Sequence, residues 1–158
     1  DVAALYLINH VFNWAFASRI GALIGRIGER RALTFEYCGL MCVFTAYAFV
    51  DNAFWAAALY ILDHLFFSLA IAIKTYFQKI ADPADMASTA GVAFTINHIA
   101  AVIIPVLFGF IWLISPATVF LIGTSMAAIS LLLALNIPTS PCPGNEVVVG
   151  KMPAAITT

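Results

Sequence analysis

Apolar positions fall into five long runs, approximately 3–24, 32–50, 53–77, 89–112 and 117–137, each bounded by charge, glycine or proline. An α-helix rises about 1.5 Å per residue, so about 20 residues cross the ~30 Å hydrocarbon core of a bilayer. None of the runs alternates apolar and polar residues with the period of two that marks a barrel strand. Lipid also offers no partner to an exposed backbone amide, so the runs predict helices. The expected fold is all-α integral membrane: five transmembrane helices within residues 1–137, then a proline-rich exit at Pro138 and a flexible cytoplasmic tail over 138–158.

Composition strengthens this reading. Of 158 residues 63% are hydrophobic, mean hydropathy is +1.01, and only 9% are Asp, Glu, Lys or Arg, against roughly 25% in a soluble domain. Between Asp85 and Glu146 stand 60 consecutive residues without a formal charge, a stretch that a water-soluble surface of this size does not tolerate. The net charge of -1 excludes the basic patch that nucleic acid would require. Cys38, Cys42 and Cys142 match no zinc spacing and read as small buried hydrophobes.

The few charges have positions. Arg26, Arg30 and Arg31 fill the first connection and Lys79 the third, while Asp51-Asn52 and 113–116 carry no Lys or Arg. Basic loops stay cytoplasmic. Arg19 and Lys74 can snorkel to the same side and Lys151 lies in the tail, so the orientation expected is C-terminus inside, in a multi-pass protein of a bacterial cytoplasmic (inner) membrane.

Between the first two runs stands Gly21-Ala-Leu-Ile-Gly-Arg-Ile-Gly-Glu-Arg-Arg31. Gly21 and Gly25 form a small-xxx-small pair suited to close helix approach, and Gly28 permits a tight reversal. The segment resembles the short cytoplasmic loop of the major facilitator superfamily, roughly Gly-x-Leu-x-Asp-Arg-x-Gly-Arg-Arg/Lys-Arg/Lys. Gly21, Leu23, Arg26, Gly28, Arg30 and Arg31 match, whereas Gly25 replaces the aspartate and Glu29 a basic residue. The loss of that aspartate is what a second-half copy of the motif looks like. The resemblance implies that the chain is a C-terminal fragment, helices 8 to 12 of a twelve-helix bundle, completed by the N-terminal helices of the same transporter. It also implies that the first, third and fourth runs face a central cavity and that the second and fifth are peripheral.

Polar groups in mid-membrane are costly, a charged one by roughly 2.5–3.5 kcal/mol on insertion scales, and mark cavities or partners. They concentrate in those same three runs: Asn9, His10 and Asn13 in the first, Asp63 and His64 in the third, Thr95, Asn97 and His98 in the fourth. At about 100° per residue the first set forms one stripe, and Ser88, Gly91, Thr95 and His98 recur along one face of the fourth run. Asp63 is the acid expected to couple proton movement, and substrate-binding or proton-coupling roles are expected for His98, His10, Asn13, His64 and Thr95. Glu36, close to the arginine loop, is expected in an interfacial ion pair. Pro105 is expected to kink its helix.

The function expected is therefore secondary active transport: a permease of the major facilitator type, with a small-molecule substrate, protons as coupling ion and the lipid bilayer as surroundings. It is not an enzyme and needs no cofactor or bound metal. The alternative is a small integral membrane redox or metal-binding protein using His10, His64 and His98, whose imidazoles would have to converge.

Overall fold

A computed structural model describes residues 2–150, except the side chains of Val2, Ala4, Leu5, Ile8, Asn9, Phe12 and Asn13. Among the described residues every named element is a helix, and none is a strand. The helices are α1 (Val2–Ile27), α2 (Glu29–Tyr47), α3 (Ala53–Phe67), α4 (Ile71–Ile80), α5 (Met86–Ile114) and α6 (Pro116–Leu135). A single 3-10 turn, Ser68–Ala70, joins α3 to α4, so the two make one rod of 28 residues, Ala53–Ile80.

The ends of these helices have local causes. Gly28, at φ +86°, takes the left-handed conformation that reverses the chain between α1 and α2 and that a side chain would strain. Asn52 caps α3 by accepting from the Phe54 amide at 2.8 Å. Ser115 closes α5 and caps α6, with Pro116 in the first turn, where its missing N–H costs nothing. Ser68 donates to the Leu65 carbonyl at 2.6 Å where the helix tightens. Helix α5 runs on through Pro105.

Rod Ala53–Ile80, α5 and α6 are each long and apolar enough to cross a bilayer. Their outer surfaces are apolar as well: Phe94, Val102, Phe110, Ile129 and Leu132 are all more than 60% exposed, and α5 buries no residue at all. A helix apolar on every side belongs in lipid or against other helices.

Helices α2 and α6 form the most extensive pair. Helix α2 buries Glu29, Ala32, Leu33, Glu36, Leu40 and Val43, a stripe at spacings of three and four. Ile24, Ala32, Leu33, Ala72, Ala134 and Ile137 close a small core where α1 ends, α2 begins and α6 ends. Close approach occurs at Gly39, where a β-carbon would collide with the Phe66 ring, and at Gly123, packed against Phe44. Nothing lies within 4 Å of a β-carbon at Gly21 or Gly25, so the pair expected to bring helices together is open among the described residues. At the other end of the α2–α6 pair, Tyr47 stacks on Phe120 at 4.8 Å and Thr45 meets Thr124 at 3.2 Å.

Two further expectations are corrected. Cys38 and Cys42 are exposed, not buried, because they fall on the flank of α2 away from its inward stripe. Glu36 is 1% exposed with Oε2 unpartnered among the described residues. It lies on the inward stripe two turns beyond the arginines, and the ion pair at this end is made by Glu29 instead.

Residues 138–150 pack back on the bundle. Tyr76 donates to the Glu146 carbonyl at 2.7 Å, and Asn136 exchanges side-chain bonds with the amide and carbonyl of Val149.

Candidate functional site

Helix α3 carries the densest polar chemistry. Asp63 is 14% exposed, and its Oδ1 has no hydrogen-bond partner among the described residues. Its Oδ2 lies 3.6 Å from His64 Nδ1. That nitrogen is closer, 3.0 Å, to the Tyr60 carbonyl. A carbonyl only accepts, so the Nδ1–H proton belongs to the bond with Tyr60 and leaves Asp63 a weak second partner. Asp63 and His64 are consecutive, about 100° apart on the helix, yet their side chains approach each other.

Aromatic rings extend this pair toward α1. Tyr60 sits 4.3 Å from the His64 ring, Tyr6 lies 6.4 Å from Tyr60, and His10 lies 5.8 Å from Tyr6. The Tyr60 hydroxyl is buried without a partner among the described residues. Tyr47, from the end of α2, donates to the Ala56 carbonyl at 3.2 Å, one turn before Tyr60. Asp63, His64 and His10 therefore belong to one aromatic-lined group, with two buried oxygens, Asp63 Oδ1 and Tyr60 OH, unused. Asn13 lies outside the described side chains, as does Asn9.

Thr95 and His98 stand apart. Thr95 donates to Gly91 at 3.0 Å, and His98 Nδ1 lies 2.9 Å from the Phe94 carbonyl with the rings 3.8 Å apart. Both bond within α5 and face outward, and α5 packs chiefly on α6. Among the described residues no three His, Cys, Asp or Glu side chains come together as a metal site.

Tyr60, Tyr6 and Tyr47 are not among the residues expected at the site from the sequence. The signal was present in the spacing: Tyr60 is three and four residues before Asp63 and His64, and Tyr6 four before His10, the intervals at which helical side chains meet.

The loop motif lies at the other end of the bundle. Arg26, Gly28, Arg30 and Arg31 line a cavity of about 480 Å³, together with Glu29, Lys79 and Thr139–Pro141. Gly21 is one to two turns earlier on α1. Glu29 is 2% exposed and bonded to Lys79 Nζ at 2.6 Å. Burial works against its charged form, but the Lys79 ammonium and the hydrogen bonds from Lys79, Thr75 and its own amide outweigh this and lower its pKa.

The class these features define is a helical integral membrane protein, with three helices able to span among the described residues. The chain is similar to an uncharacterized MFS-type transporter, MJ1317, of Methanocaldococcus jannaschii, at 28% identity over 135 residues. The similarity covers 85% of this chain but 34% of the relative, so the chain spans about a third of that transporter's length. No family model and no solved structure matches.

Proposed function

We propose that this chain forms part of a secondary transporter of the major facilitator type, moving a small solute by alternating access with proton coupling at Asp63. The observation that carries the reading is the buried carboxylate itself. Asp63 stands about 10 residues, or ~15 Å, from the start of an apolar rod of 28 residues, with one oxygen unpartnered and an aromatic-histidine group around it. A carboxylate in that setting is costly unless it exchanges a proton or a ligand. The similarity to MJ1317 and the arginine loop support the same class. His10 and His64 border the site from α1 and α3, and Tyr60 and Tyr6 wall it. Thr95, His98 and Asn13 would contribute when α5 and α1 meet the cavity from the opposite side, as in a bundle closed by further helices.

Asp63→Asn in the full-length protein, assayed in proteoliposomes with an imposed proton gradient, is expected to abolish uphill accumulation while substrate exchange across the membrane persists. Undiminished uphill transport by the variant would overturn the coupling role.

A further inference from the structure

The cavity at the basic end has a composition that the transport reading does not use. Among its lining residues Glu29 and Lys79 neutralise each other at 2.6 Å. Arg26, Arg30 and Arg31 remain, and none of the three forms an ion pair among the described residues. Three arginines thus line about 480 Å³ of space, and no carboxylate of the described residues pairs with them. Such an arrangement repels itself unless an anion is present.

Beside the apolar Ile27 and Pro141, the lining holds further polar residues. Helix α2 begins at Glu29 with Gly28 as its N-cap, which supplies no side-chain bond, so the first-turn amides add partial positive charge beside the arginines. Thr139 and Ser140, two hydroxyl-bearing residues of the segment after α6, also line it. Among the described residues the only carboxylate in the lining is that of Glu29, which Lys79 already holds.

We propose that this cavity binds a phosphate group, gripped by Arg30 and Arg31, with Arg26 and the hydroxyls of Thr139 and Ser140 completing the shell. Guanidinium forks match phosphate oxygens in pairs. The cavity opens at the membrane-surface end of the rod Ala53–Ile80, so the phosphate can belong to an anionic lipid headgroup or to a soluble phosphate. The inference rests on the membrane-spanning reading for the lipid source, and not on Asp63.

The full-length chain in a neutral detergent is titrated with phosphatidylglycerol, with phosphatidylcholine and with inorganic phosphate while thermal unfolding is followed. Stabilisation by about 5 °C with phosphatidylglycerol alone assigns the lipid source, and stabilisation by millimolar inorganic phosphate the soluble one. Arg30→Lys keeps the charge but loses the fork and is expected to weaken binding roughly tenfold. Arg19→Gln, outside the cavity, is expected to bind like the wild type. Equal binding by Arg30→Lys and wild type would mean diffuse surface attraction and would overturn the site, as would the absence of stabilisation by every anionic probe. Because these readouts need no transport, a failed uptake assay with Asp63→Asn leaves the site standing.

Discussion

At Lys79, one ammonium holds a carboxylate that is 2% exposed. The cost of the pair falls on Glu29, because Lys79 itself is 48% exposed and can return to water. Lys79→Met is therefore expected to leave Glu29 buried and unpaired, lowering stability at neutral pH by about 1–3 kcal/mol. The pH dependence has a defined sign. The folded pKa of Glu29 is lowered from 4.5, so the pair contributes above the unfolded pKa and its contribution is lost as pH falls through the folded value. Thermal unfolding of wild type and Lys79→Met is expected to differ most at neutral pH and to converge below pH 4.5. A constant gap across that range would show that Lys79 acts by packing alone. Glu36 teaches the complementary point: its charge is visible in the sequence, but its partner depends on which way it faces, and α2 turns it inward.

At the scale of elements, the contacts that hold α2 to α3 and α6 are made where a glycine meets a ring. Gly39 receives Phe66 so closely that any β-carbon must displace the ring. Gly39→Ala is expected to destabilise by about 1–3 kcal/mol through overpacking, measured as a fall in unfolding temperature in detergent, with Gly39→Ala/Phe66→Leu recovering part of the loss. Phe35 also packs on Phe66, at 5.5 Å between rings, so the smaller residue leaves space that this neighbour can fill. No recovery in the double variant would show that backbone strain, and not the ring, sets the cost. Gly21 and Gly25 have the spacing that sequence reasoning associates with such contacts, yet no described atom approaches them. Spacing identifies a permissive face; only the positions of other helices decide whether it is used.

For the whole molecule, the positive-inside pattern predicts that the connections alternate between the two sides of the membrane. In a background with Cys38, Cys42 and Cys142 replaced, Asp51→Cys is expected to react with an impermeant maleimide from outside intact cells. Asp82→Cys, in the connection after α4, is expected to react only after permeabilisation. Labelling of both from the same side would contradict a spanning rod between them. The rod Ala53–Ile80, α5 and α6 have the length and apolarity for this arrangement.

The sequence by itself determined the helical class, the membrane environment and most helix ends, because these depend on local quantities: run length, apolarity, a left-handed Gly28, a capping Asn52 and Ser115. It also singled out Asp63, because an acid in a long apolar run is conspicuous without any coordinates. Tertiary structure decided which polar groups meet. Tyr6 and Tyr60 join His10, His64 and Asp63 across two helices, while Thr95 and His98, equally polar on paper, bond within α5 and face away. It likewise paired Glu29 with Lys79, 50 residues further on, and left the three arginines around a shared cavity. Contacts between distant segments follow from how helices rotate and pack, and helical periodicity constrains the face of each helix without specifying its neighbour.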